Sequence, residues 1–249
     1  MDRVIRKVTA RQDLDLEKDA FSCEIDVMRD IAGGVISQEF PLKAFLDRVN
    51  PSKDAKILDV GCGTGSFAIK LSILGFTNVL GIDLSESRIR IARQKAELLG
   101  RRNIAFVTTS LQDLQGGGSA PGDDGKFDVI TSLAFVHHFP DIEEPLGIMY
   151  DLLLDGGSLY AYEPNALSPF DIVAGNRRFC ARAHAFVPRD GSANERFFTP
   201  FKLRKSLLRV GFKNVEVMTN FYHPTVTKLL AKVPVLGMLS RVTIAIARK

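Results

Sequence analysis

The clearest pattern in the chain is a short apolar run, Ile57, Leu58 and Val60, that stops at three glycines, Gly61, Gly63 and Gly65. Apolar residues then recur at helical spacing through Phe67, Ile69, Leu71 and Leu74. A buried strand, a tight turn and a helix account for that order. The unit repeats downstream. Asn78–Asp83 reads as a second strand, and Ser85 caps a helix whose inner face is Ile89, Ala92, Ala96 and Leu99, stopped by Gly100. Ile104–Val107 and Phe127–Ser132 are the next two strands. Asp141 is placed to cap a helix carrying Leu146, Met149, Leu152 and Leu153, closed by Asp155-Gly156-Gly157. Ser158–Tyr162 follows as a strand, then a helix opened by Thr199-Pro200 and stopped by Gly211, a strand at Val215–Met218 and a last strand at Arg241–Ala247. Upstream, the apolar positions from Phe21 to Val49 suggest one or two helices, interrupted near Gly33-Gly34 and Pro41. Strands alternating with helices predict an α/β, doubly wound sheet.

The glycine turn is where this pattern becomes chemistry. Glycines let the backbone bend sharply and approach a ligand, and the following helix points its free N–H groups into the same space. A dinucleotide fingerprint wants G-x-G-x-x-G with a pyrophosphate on the helix start. Here the third glycine falls one place early, at Gly65, and Ser66 holds the expected position. Asp59, two residues before Gly61, would repel a pyrophosphate and favour a ligand with an ammonium and a sulfonium. S-adenosylmethionine carries both and no phosphate. Asp83, ending the second strand, can accept hydrogen bonds from both ribose hydroxyls of any adenosine ligand, so it does not by itself separate the two cofactors.

With these residues the chain resembles the class I S-adenosylmethionine-dependent methyltransferases. The matching stretches are Leu58–Gly65, Gly81-Ile82-Asp83, Phe127–Ile130, Val136–Phe139 and the Gly156-Gly157 turn, in the family's order across the middle half of the chain. The resemblance implies a seven-stranded, mostly parallel sheet with its last strand antiparallel. It implies S-adenosylmethionine as cofactor and S-adenosylhomocysteine as product. The expected cofactor set is Asp59, Gly61, Cys62, Gly63, Gly65, Asp83, Leu84, Arg88, Ser110, Leu111, Leu133 and Ala134. Many relatives place an aspartate at the position of Ser110. The serine could accept a hydrogen bond from adenine, Leu111 could give a backbone N–H, and Asp113 is a possible substitute.

Composition narrows the rest. A chain of 249 residues, 45% hydrophobic and 25% charged, suits one domain with ample core. Three scattered cysteines, Cys23, Cys62 and Cys180, argue against a disulfide framework or zinc site and suit a reducing cytosol. No apolar signal core opens the chain, and no stretch has the apolar length of a membrane span. Residues 1–164 hold 18 Lys/Arg and 25 Asp/Glu, whereas 165–249 hold 15 and 4. The basic part is either an ordinary solvated surface or a wall for an anionic substrate or membrane.

The acceptor side is less legible. His137 and His138 follow the fourth strand, and either could take a proton from a hydroxyl, or both could simply pack and order the turn. Glu163, at the fifth strand's end, could orient a substrate hydroxyl or bond backbone in the turn. Residues 164–199 lack periodicity and hold Arg177, Arg178, Arg182, Arg189 and Arg196, which suits a substrate lid. The resemblance implies that the 1–50 segment caps the cofactor cleft; a helix covering one sheet edge is the alternative. Gly116–Gly125 is expected to be a loop outside the chemistry, and Thr227–Leu239 either a packed segment or a lipid-touching one. The expected activity is one-step methyl transfer to an oxygen, nitrogen or carbon of a small molecule. A silent cofactor-binding scaffold, an NAD-dependent oxidoreductase and an RNA methyltransferase are its rivals, the last without a recognition motif.

Overall fold

A computed structural model of the chain describes residues 39–115, 125–168, 198–220 and 242–249. The expectations for the segment before Glu39, the glycine loop, most of the 164–199 insertion with its arginines, and Thr227–Leu239 fall outside these residues. Seven strands form one sheet in the order β3-β2-β1-β4-β5-β7-β6. They are β1 Lys56–Val60, β2 Asn78–Asp83, β3 Ile104–Thr108, β4 Phe127–Leu133, β5 Leu153–Pro164, β6 Lys213–Asn220 and β7 Val242–Arg248. Strands β1 to β5 pair in parallel, and β7 runs antiparallel to both its neighbours, β5 and β6. The one reversed strand is the last, as the family resemblance implied.

Helices cover both faces. On one side lie α1 (Glu39–Arg48), α2 (Ser66–Ile73) and α3 (Glu86–Leu98), whose Phe45, Phe67, Leu71, Ile89 and Ala92 share a core with Ile57, Val79 and Tyr160. On the other lie α4 (Leu111–Gln115), α5 (Glu143–Leu152) and α6 (Pro200–Val210), burying Leu114, Leu146, Met149, Leu203 and Leu207 against Leu58, Ile130 and Leu159. Central strands buried on both faces explain why their sequences read as continuous apolar runs.

Local expectations at Pro41, Leu153 and the Asp155-Gly156-Gly157 turn are corrected. Pro41 does not interrupt a helix: it lies in the first turn of α1, where no N–H is needed, and its carbonyl accepts the Tyr160 hydroxyl at 2.8 Å. The described part of this N-terminal segment packs on a sheet face, with Phe45 wholly buried edge-on to Phe67 and Tyr160. Leu153 belongs to a strand, not to the preceding helix, and the Asp155-Gly156-Gly157 turn sits inside β5, where pairing with β4 skips from Phe127 to Val129. A side chain at Gly157 would press on the Leu154 and Asp128 carbonyls, so only glycine closes that bulge. Among the described residues no helix is long and apolar enough to cross a membrane.

Candidate functional site

Parallel strands β1, β2, β4 and β5 deliver their C-terminal ends to one edge of the sheet, where open α/β sheets bind ligands. The glycine turn leaves β1 there. The Cys62 amide donates to the Ile82 carbonyl at 2.9 Å, extending the ladder one step, and the Gly65 amide closes the turn on the Cys62 carbonyl at 2.9 Å. All three glycines lie at positive φ, between 56° and 75°. They differ in what lies beside them. A side chain at Gly61 would overlap the Phe135 ring, and one at Gly65 the ring of Phe106, whereas one at Gly63 would meet nothing within 4 Å. The middle of the ribbon therefore faces open space.

Asp83 reaches under that ribbon. Its Oδ2 accepts the Gly63 amide at 2.9 Å and its Oδ1 the Ser85 amide at 2.8 Å. Each oxygen keeps a further lone pair, so the carboxylate can still receive two hydroxyls. Ser85 then caps α3 as expected, accepting from the Arg88 amide. Leu84, beside Asp83, is 74% exposed. Arg88 is half-buried on the first turn of α3.

Asp59 is 2% exposed. The Thr131 hydroxyl donates to its Oδ1 at 2.8 Å, and its Oδ2 is buried without a hydrogen-bond partner. Burial lifts this carboxyl from 3.8 to about 7; the Thr131 hydroxyl and the Ala68 amide oppose the rise, and the Asp83 charge adds to it. A buried acceptor without a donor is costly unless a ligand supplies one. Cys62 is a packed thiol, with burial first and the Asp59 and Asp83 charges second pushing its pKa far up, so it has no thiolate character.

The adenine side differs from the simplest expectation. The Ser110 hydroxyl donates to Asp113 Oδ2 at 2.6 Å and accepts the Asp113 amide at 2.9 Å, so it caps α4. Ser110 and Asp113 are one reciprocal pair rather than alternatives. Leu111, the first residue of α4, has the position whose N–H the helix does not use.

Across the cleft, Leu133 ends β4 and Ala134 follows at φ 55, a conformation an alanine adopts only when held. Its amide donates to the Tyr162 carbonyl at 2.7 Å. Glu163 holds the next three residues. This fully buried carboxylate accepts the Phe135 amide at 3.1 Å and the Val136 amide at 2.9 Å on Oε1, and lies 2.8 Å from His137 Nδ1 through Oε2. A carboxylate can only accept, so Nδ1 carries the hydrogen. His137 is buried, whereas His138 is exposed with its ring centroid 4.2 Å from that of His137. Of the three acceptor-side residues expected from sequence, Glu163 thus binds the turn, His137 binds Glu163, and His138 alone faces outward.

These residues fit S-adenosylmethionine. Two acids, one with an unpartnered oxygen, flank a ribbon that opens onto free space; an ammonium and a pair of hydroxyls satisfy them, and a pyrophosphate does not. Among the described residues no group of His, Cys, Asp and Glu could hold a metal. A methyltransferase domain model matches residues 37–217. The chain is 31% identical over 198 residues to a malonyl-[acyl-carrier protein] O-methyltransferase of Geobacter sulfurreducens, covering 78% of this chain and 68% of that one. It is 28% identical over 182 residues to a ubiquinone biosynthesis O-methyltransferase of Thiobacillus denitrificans, covering 72% and 74%. In fold it is similar to an S-adenosylmethionine-dependent methyltransferase of Mesorhizobium loti, with a TM-score of 0.58 at 20% identity over 86% of this chain and 98% of that one. It is equally similar to the [4+2]-cyclase SpnF, with a TM-score of 0.57 at 20% identity over 84% and 80%, so fold alone does not name the reaction. The sequence matches do: this chain belongs to the methyltransferase-domain family and is an S-adenosylmethionine-dependent enzyme that methylates a small molecule.

Proposed function

We propose that the methyl group goes to an oxygen of the acceptor, and that His138 takes the proton this oxygen gives up. The observation that carries the reading is the post-β4 turn, where buried Glu163 and His137 hold an exposed imidazole at the C-terminal edge of the sheet. Two relatives are named O-methyltransferases, which favours the same acceptor atom. We assign Asp83 to the ribose hydroxyls, Asp59 to the methionine ammonium, and Gly61, Cys62, Gly63 and Gly65 to close backbone approach. Leu84, Arg88 and Leu111 line the nucleoside side, and Leu133 and Ala134 the methionine side. Ser110 acts through its cap on α4. When bound, S-adenosylmethionine supplies a methyl group on a sulfonium, a leaving group that needs no acid.

The protein's work is therefore placement. Holding the acceptor oxygen in line can lower a barrier by about 7–11 kcal/mol. Glu163 fixes the turn that carries His138, and the ring of Phe135 over Gly61 closes one wall against water. His138 holds the acceptor's proton; a positioned base of this kind contributes on the order of 10²–10⁴. We further assign the acceptor an anionic or lipid-linked character. The basic balance of 165–249 supports it, as do Phe201, Lys202, Arg204 and Lys205 exposed on α6. The scattered cysteines favour work in the cytoplasm.

Extracts incubated with the protein and heavy-methyl S-adenosylmethionine, followed by mass spectrometry, test the reading. A mass-shifted hydroxyl compound is expected, and His138→Gln should lower kcat about 100-fold while leaving cofactor affinity intact. Label on nitrogen or carbon, or full turnover by the variant, would overturn it.

A further inference from the structure

Lys95 lies in the last turn of α3, a position where a lysine on an amphipathic helix normally reaches for water. Here it is 2% exposed and turned inward. Its Nζ donates to the Thr64 carbonyl at 2.8 Å and to the Ser66 hydroxyl at 2.8 Å, and lies 3.5 Å from Thr64 Oγ1. Burying an ammonium is costly unless its hydrogen bonds are made. These bonds are made to the glycine ribbon.

The ribbon needs such a hold. Gly65, the cap residue of α2, stands at φ 75 and has no side chain with which to cap that helix. Ser66, at the first helical position, instead accepts from the Lys95 ammonium on its hydroxyl oxygen. With the Thr64 carbonyl fixed by an ammonium, the Thr64–Gly65 peptide cannot rotate freely, and the Gly65 conformation follows. One residue earlier, the Gly63 amide is fixed by the Asp83 carboxylate. The ribbon is thus pulled by its N–H from one side and by its C=O from the other. Asp83 ends β2 and Lys95 lies in the last turn of α3, so a single strand–helix unit supplies both charges.

We propose that Lys95 is a positioning residue for the cofactor: it presets the ribbon in the conformation that binds S-adenosylmethionine, without touching the ligand. This rests on the assignment of the ribbon to the cofactor made above. The test is Lys95→Met, with Ser66→Ala as a milder variant that leaves the lysine in place. In calorimetry Lys95→Met should raise the S-adenosylmethionine Kd about tenfold or more, the loss of a charged hydrogen bond. Its kcat at saturating cofactor should stay within about threefold, because binding is lost equally in the ground and transition states. Amide exchange at Gly63–Ser66 should quicken in the ligand-free protein. Ser66→Ala should move Kd and exchange the same way by less, and the double variant should fall short of the sum of the two.

A folded Lys95→Met protein with wild-type Kd and wild-type exchange would overturn the proposal, as would a loss confined to kcat. If Lys95→Met does not fold, unchanged Kd and exchange in Ser66→Ala overturn it. Faster exchange with unaltered Kd would instead sink the assignment of the ribbon to the cofactor, and with it the lysine's role. Because exchange is read without ligand, the two failures are distinguishable.

Discussion

Asp59→Asn should make the ligand-free enzyme more stable at alkaline pH and a worse cofactor binder. The carboxyl is held at about 7 in the folded protein against 3.8 in an open chain, chiefly because burial disfavours its charge. Its folded pKa is the higher one, so its favourable contribution is complete below 3.8 and is lost as pH rises through 7. One pKa unit is about 1.4 kcal/mol, so the full loss has a ceiling of about 4 kcal/mol, of which about 2–3 kcal/mol accrues between pH 5 and pH 8. Asparagine keeps the oxygen that accepts from Thr131 and carries no proton equilibrium. It also places an amide where Oδ2 has no partner, a cost of about 1–3 kcal/mol that does not vary with pH. The difference between variant and wild type is therefore best read as a pH trend. Urea unfolding of both proteins without ligand should show the variant gaining about 2–3 kcal/mol relative to wild type from pH 5 to pH 8. In the same pH range wild-type affinity for S-adenosylmethionine should rise, because the ligand's ammonium favours the ionised acid, and the variant's should not. A stability difference that stays flat would refute the account of Asp59 as a carboxyl held neutral by burial.

Asp83→Asn keeps one acceptor oxygen where the carboxylate has two, so it cannot hold both the Gly63 and Ser85 amides and also receive two hydroxyls. Calorimetry should show a Kd for S-adenosylmethionine about 10–100-fold higher, and unchanged affinity would remove the ribose assignment. Gly61→Ala meets both the Phe135 ring and a φ of 64°, and should lose about 3 kcal/mol in urea denaturation. The same change in a Phe135→Ala background should cost only the backbone part, about 1–2 kcal/mol, and equal losses in both would sink the steric account.

What could be read from sequence was what the chain settles over short distances. The run from Lys56 to Ser66 states its strand, turn and helix in eleven neighbouring residues, and Asp83 follows one helix later. The partners of those residues come from elsewhere. One oxygen of Asp59 accepts from Thr131, 72 positions away, and nothing about a threonine in a strand announces that bond. Gly65 and Gly81 are small because the Phe106 ring from β3 fills the space beside them, a packing demand with no local sign. Lys95 reads as an ordinary surface lysine on an amphipathic helix until its inward turn is seen. Ser110 and Asp113 looked like competitors for adenine because spacing alone does not reveal that they bind each other. Sequence alone leaves Glu163 open between substrate and backbone, because its three turn partners lie 26 to 28 residues upstream.

The reversed strand β7 has a consequence for how the molecule assembles. It lies between β5 and β6, so β6, which is made earlier, has no neighbour to pair with until Val242–Arg248 arrives. During synthesis the flank of β5 stays an open template, and the register of Tyr162 with Ile244 and of Glu163 with Thr243 is fixed only once β7 has been made. Such late, long-range closure slows folding and leaves an adhesive edge exposed meanwhile. Deleting β7 would therefore unseat two strands at once, and the wall behind Glu163 with them.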